Sequence, residues 1–311
     1  MNTEKTIVLK KEEKFIYREL TTEFIDNVCK YSELNRHLQE INQLFDVFVF
    51  NIERLFSSYV VQSDDCVTRK DGFVTDSSDF IAINSFVINI ISSGRSLVDS
   101  IEICIKHSYG EKSQEYINFC NTGKIPVYEK YFSYRLFYEL RNFSQHNHLP
   151  VSCEGNFFFF DIKKIINTPH FNYKKESRKE IEDILKEALE KYKDIFRVSF
   201  SFCIVEYVAA VAKLYNELWL NIKKRLFVLK NIIDDEISNC PEILNHDNPL
   251  FDGSIVFKLP ETDEWQSFTP YADTDKYYME CLSDSEDFYK ESNNELIEVE
   301  KHFKEMASKK D

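Results

Sequence analysis

The sequence predicts a mainly α-helical protein, on three observations. Its 311 residues include only 6 Gly and 7 Pro, against many Lys, Glu, Ile, Leu and Phe, a texture of long helices with few tight turns rather than of a β-sandwich or barrel. Apolar residues recur every third or fourth position over several long stretches. With 43% apolar and 15% aromatic residues, the chain has ample material for a packed core in one large domain or two.

Taken in order, Thr22 to about Gln62 reads as one or two helices, with Phe24, Val28, Tyr31, Leu34, Leu38, Ile41, Leu44 and Phe48 as the buried stripe. Ser63 to Asp79 reads as a loop through its Asp, Ser and Gly. A second helix runs from Phe80 to about His107. Between Tyr109 and Pro126 a short helix is expected, with Gly123 as its C-terminal cap and Pro126 as a stop. The stretch "VYEKYFSYRLFYELRNFSQHN" then sets Phe132, Leu136, Phe137, Leu140 and Phe143 on one helical face. Pro150 disfavours the helical conformation at Leu149, so this helix ends near His148.

Around Glu154-Gly155-Asn156, "PVSCEGNFFFFDI" holds two short β-prone runs, a hairpin signal near 151–161. Four adjacent Phe, 157 to 160, are expected to serve the core on one face and an interface on the other. A capping box at Ser177-x-x-Glu180 opens a helix through Ile195, and the apolar helix from Phe196 to about Leu229 is its expected partner in an α-bundle. Beyond Asp234 the texture turns loop-rich, with one strand at Ser254 to Leu259. A last helix is expected from a second capping box, Ser283-x-x-Glu286, to about Met306.

The net charge of −14 argues at first against a nucleic-acid partner. Its distribution reverses that reading: Asp234 to Asp311 holds 7 Lys against 21 Asp and Glu, which is the whole surplus, while residues 1–233 are neutral. The composition shift therefore divides the chain into 1–233, an α-helical domain, and 234–311, an acidic extension that serves as a solvated face, a partner surface or a nucleic-acid mimic.

"MNTEKTIVLKKEEK" lacks an apolar run after its charges, so no secretory signal is expected. "FIAINSFVINIISSG" is too short and too polar at its end to span a bilayer, and "VSFSFCIVEYVAAVA" carries Glu206 at its centre and reads as a buried helix. Eight cysteines include no C-x2-C or C-x4-C pair, so neither a zinc ribbon nor a thioredoxin motif is present, and a reducing cytoplasm is expected. No P-loop, dinucleotide fingerprint, nucleophile elbow or zincin motif occurs.

What stands out is "YELRNFSQHNHLPV", Tyr138 to Val151. Five residues of ideal helix turn about 500°, so Arg141 and His146 point roughly 140° apart and converge only if the last turn opens or a second copy brings its own pair alongside. A histidine at a helix C-terminus is favoured as imidazolium, while a nearby guanidinium favours the neutral ring. A metal site at His146-x-His148 with Cys153 or His170 lacks a carboxylate or a second suitably spaced ligand pair.

"ELRNFSQHNHLP" resembles the HEPN family, whose signature is Arg, four to six residues, then His, commonly with Asn or another polar residue after the Arg. Arg141, Asn142 and His146 match it, and the resemblance covers residues 80–151 with the surrounding helical bundle by implication. It implies a HEPN-like bundle with the small hairpin and the acidic, loop-rich extension ending in a helix. It also implies an endoribonuclease needing no metal or other cofactor, in which a ribose 2′-OH attacks the neighbouring phosphate. On that reading His146 shuttles the proton, Arg141 holds the phosphorane and Asn142 orients a phosphate or the imidazole. RNA is then the substrate.

Family members usually build the site between two motifs, so the resemblance implies a homodimer through the motif helix, and a role as toxin or anti-phage effector with a neutralising partner. His148 offers six intervening residues, also within the signature; His146 is preferred because His148 lies nearer the proline break. Arg95 and Asp99, four apart on the preceding helix, are secondary candidates, since the family often sets a polar residue of that helix against the motif. A catalytically inactive HEPN-like scaffold binding RNA or protein is the alternative.

Overall fold

Few breakers and long apolar stripes leave the chain mostly helical in the computed structural model, which describes residues 5–11, 14–62, 64–72, 76–145, 148–168, 179, 182–183, 186, 197–238, 255–258, 265–268 and 274–308. It clusters into two compact units, Met1–Glu40 with Trp219–Leu282, and Ile41–Leu218 with Ser283–Asp311.

In the first unit, strands β1 (Lys5–Lys11) and β2 (Lys14–Leu20) form an antiparallel hairpin. Helix α1 (Thr22–Ser58) begins in this unit and continues into the second, and its first turn is capped where Thr21 Oγ1 accepts from Phe24 N at 3.1 Å. The early strands were not expected from the sequence, because charged residues flank both runs and leave only "TIVL" and "FIY" as short apolar cores.

The second unit follows the chain from the later part of α1. After the short pair β3 (Tyr59–Val61) and β4 (Val67–Arg69), helix α2 (Ser77–Tyr109) buries Ile83, Val87, Ile90, Ile91, Leu97, Val98, Ile101 and Ile105. Its start is an Asp76–Asp79 capping box: Asp76 accepts from Ser78 N and Asp79 N, and Asp79 accepts from Asp76 N. By length and composition α2 is the one helix among the described residues apolar enough to cross a membrane, and half of its most apolar window is buried inside the protein.

Here the expectation for 109–126 needs correction. Helix α3 (Gln114–Phe119) runs into a π-helical turn, Cys120–Lys124, and on into α4 (Ile125–Lys130). Gly123 is no cap but a buried member of the π turn, its Cα facing the Glu217 side chain. Pro126 is no stop: it occupies the first turn of α4, directly after the π turn.

Helix α5 (Phe132–Gln145) comes after Tyr131, and then the expected hairpin, β5 (Ser152–Glu154) and β6 (Phe157–Asp161), turning at Gly155 with φ +60°. Helix α6 (Ile162–Ile166) comes next, and β7 (Arg197–Ser199) pairs with the free edge of β6, giving three strands. The Phe run is not half interface: Phe158, Phe159 and Phe160 are all buried and only Phe157 is half exposed. The ring of Phe200 covers one face of β6 and Arg197 lies over Phe159 on the other. The capping box at Ser177 and Glu180 lies outside the described residues.

Helix α7 (Phe200–Ser238) begins in the second unit and ends in the first, nine residues beyond the expected Leu229. The compositional border at Asp234 therefore falls inside a helix, where surface charge changes without a break in the chain. Strand β8 (Ile255–Lys258) is the strand expected there; with β9 (Trp265–Phe268) it completes the first unit's antiparallel sheet, in the order β2-β1-β8-β9. Helix α8 (Thr274–Ser308) closes the described chain. Its start lies nine residues before Ser283, so Ser283-x-x-Glu286 is mid-helix, because Tyr278 and Leu282 extend the buried stripe upstream. Within the first unit Tyr278 hydrogen-bonds Asn35 and packs on Trp219.

Candidate functional site

Helix α5 carries the Arg-Asn motif, and its phase is set at its start. Tyr131 is extended and breaks the chain from α4, and the buried carboxylate of Glu206, on α7, accepts from Ser133 N at 2.6 Å. A negative group on unsatisfied first-turn N–H donors both caps and complements the helix dipole. Leu136, Phe137, Leu140 and Phe143 then face the core, which turns Tyr134, Tyr138 and Arg141, spaced four and three apart, onto a second face.

Arg141 is partly buried, and its Nε is buried without a hydrogen bond among the described residues. Its guanidinium acts on the hydroxyl of Tyr207, from α7. Burial pushes that hydroxyl far up, Tyr134 and Asp99 push the same way, and Arg95 and Arg141 pull it down. Tyr207 Oη donates to the carbonyl of Ile91 at 3.3 Å. This close approach requires Gly94: a Cβ there would lie 2.6 Å from Tyr207 Oη and 2.9 Å from the Phe48 ring.

Arg95 and Asp99 pair as spaced, with Nε to Oδ2 at 3.1 Å and Nη2 to Oδ1 at 2.8 Å. The fork holds the guanidinium over the Tyr138 ring, 4.0 Å from its centroid, which ties α2 to α5. The charges of Arg95, Asp99 and Arg141 thus all bear on one tyrosine hydroxyl.

α5 ends at Gln145, and His146 lies outside the described residues. Asn142 occupies the helix position after Arg141. His148 is partly buried and stacks on Phe143, ring centroids 4.9 Å apart at 20°; no hydrogen bond joins it to Arg141 among the described residues. The chain after it is clamped by Asn84 of α2, a residue passed over in the sequence. Asn84 Oδ1 accepts from Val151 N at 2.9 Å, while its Nδ2 donates to Val151 O at 3.3 Å and to Phe80 O at 3.0 Å. The signal was present: a single Asn at a core position of an apolar helix needs partners. Tyr207 and Gly94 gave no such signal, since a buried tyrosine and a helical glycine are ordinary core residues until the packing is known.

Among the described residues no three His, Cys, Asp or Glu side chains cluster as a metal site would require. Cys153 is exposed on β5, and His170 lies outside the described residues.

Comparison with protein-family models, with curated proteins and with solved structures finds no match to this chain.

Proposed function

We propose that this chain is a metal-independent endoribonuclease of HEPN type, acting as a toxin or anti-phage effector on RNA. The observation that carries the reading is the guanidinium of Arg141, whose buried Nε has no hydrogen bond among the described residues. A buried donor without an acceptor costs about 1–3 kcal/mol, and such a group is a place for an acceptor to arrive. Phosphate oxygens answer that need, and a planar guanidinium is suited to hold them as charge grows on the phosphorane.

In the proposed step the ribose 2′-oxygen bonds to the adjacent phosphorus as an imidazole removes its proton. The bond from phosphorus to the 5′-oxygen breaks, that oxygen takes a proton, and a 2′,3′-cyclic phosphate and a 5′-hydroxyl remain. His146 is the proposed shuttle and His148 the second candidate; the opposing pair comes from a second copy of the chain. Arg95 and Asp99 act as positioning residues through Tyr138.

The test is to incubate wild type, Arg141→Ala and His146→Ala with total RNA in EDTA. Cleavage that survives chelation and is lost in both variants is the expected result. Equal RNA binding by all three with no cleavage supports the inactive scaffold, and cleavage unaffected by either substitution removes the site.

A further inference from the structure

Beside the Arg141 face, the second unit has a cleft of about 530 Å³ whose lining includes Arg95, Lys124, Tyr128, Glu129, Tyr134 and Tyr138. That volume lies within the range of small-molecule sites, about 300–1,000 Å³. Three elements wall it: α2 through Arg95, the π turn and α4 through Lys124, Tyr128 and Glu129, and α5 through Tyr134 and Tyr138. The π turn brings Lys124, Tyr128 and Glu129 to the cleft, since an extra residue in one turn rotates the helix beyond it, and such turns are frequent at functional sites.

Its charges decide what it can hold. Lys124 Nζ is spent on both oxygens of Glu102, at 2.7 Å each, and Tyr116 also donates to that carboxylate at 2.8 Å. Arg95 is forked on Asp99. Both cations are neutralised, so the cleft has no surplus positive charge for a phosphate. Among the described residues two groups stay open: Arg95 Nη1 makes no hydrogen bond, and the exposed carboxylate of Glu129 has no partner. The remaining walls are the rings of Tyr128, Tyr134 and Tyr138, with Cys120 and Ile125 beside them.

An uncharged flat ring fits these walls, with one edge for a guanidinium donor and another for a carboxylate acceptor. Guanine alone among the RNA bases has two adjacent acceptors, O6 and N7, on one edge and two adjacent donors, N1–H and N2–H, on another. Arginine reads the first pair, and aromatic rings and guanidinium planes stack the base. We infer that this cleft is a guanine-binding subsite, Glu129 accepting from the base and Arg95 Nη1 donating to it between tyrosine walls. Its place as a subsite for one nucleotide of bound RNA rests on the ribonuclease reading; the base chemistry does not.

The experiment is calorimetric titration of the full chain with GMP, AMP, CMP and UMP, with the trinucleotide ApGpA as competitor. GMP is expected to bind at least tenfold more tightly than the other three. Glu129→Gln should weaken GMP about tenfold and leave AMP unchanged, while Tyr128→Ala weakens all four. Equal affinity for the four nucleotides, or GMP binding indifferent to Glu129→Gln, overturns the inference. Competition by ApGpA supports the RNA placing, and GMP binding without it overturns that placing. RNA cleavage without guanine preference removes the cleft alone; GMP preference without any cleavage leaves the cleft and removes the ribonuclease reading.

Discussion

Asp65 and Arg141 are both charged and both withdrawn from water, yet the second unit treats them in opposite ways. Asp65, in the left-handed region at φ +67°, accepts from Ser201 N at 2.8 Å, Ser201 Oγ at 2.9 Å and Ser199 Oγ at 2.8 Å. Its own backbone oxygen accepts from Phe158 N at 3.0 Å. Through Oδ1 and its backbone oxygen it fastens the β3–β4 loop to β7, to the start of α7 and to β6. Arg141 has a buried Nε with no acceptor among the described residues. A satisfied buried charge marks a joint of the fold, and an unsatisfied one marks a place where chemistry can enter.

The joints come first in size of effect. Asn84→Ala strips Val151 of a donor and an acceptor partner inside the core and should cost about 2–4 kcal/mol of unfolding free energy. Urea denaturation measures it, and a loss under 1 kcal/mol would mean that the Val151 clamp is not a joint. Gly94→Ala drives a methyl into Tyr207 and Phe48 and should cost about 1–3 kcal/mol. Adding Tyr207→Phe should recover part of that loss; no recovery would place the clash on the rings of Phe48 and residue 207 rather than on the hydroxyl.

Ser201→Ala, removing one of the three donors to Asp65, should cost about 1–2 kcal/mol. Burial pushes the Asp65 carboxyl up more than its donors pull it down. The folded state therefore holds the proton more tightly than the unfolded chain. The stabilising term is present below the ordinary aspartate value of 3.8 and is lost as pH rises through the higher folded value. The stability of wild type relative to Asp65→Asn should fall across that window; a rising difference would reverse the assignment of burial as the dominant cause. Smallest is Arg36→Ala, which breaks an exposed pair with Glu40 at 2.9 Å and should cost no more than about 0.5 kcal/mol in a thermal melt.

Which of these features the sequence disclosed depends on their range. The long helices were legible because each carries its own stripe, and the hairpin because Gly155 stands between two β-prone runs. The Arg95–Asp99 pair was legible as well, being a contact within one helix. The π turn was not, since Gly123 and Pro126 have other meanings in an ordinary helix and the Glu217 side chain that packs on Gly123 is distant in the chain. Nor was the Asp65 joint, whose donors lie more than 130 residues away. Of the candidate site, Arg141 was singled out by its motif, whereas Tyr207, Gly94 and Asn84 act through contacts between elements that spacing cannot reveal.

One pair of readings on the same preparations decides whether Arg141 is a site or a joint: the unfolding free energy and the RNA-cleavage rate of wild type and Arg141→Met. Replacing an unsatisfied buried donor with an apolar chain of similar length should leave stability unchanged or raise it, while cleavage falls about 10²–10³-fold with the loss of the phosphate-binding cation. A stability loss matching that of Asn84→Ala, with cleavage falling only as far as the folded fraction, would make Arg141 one more joint of the fold.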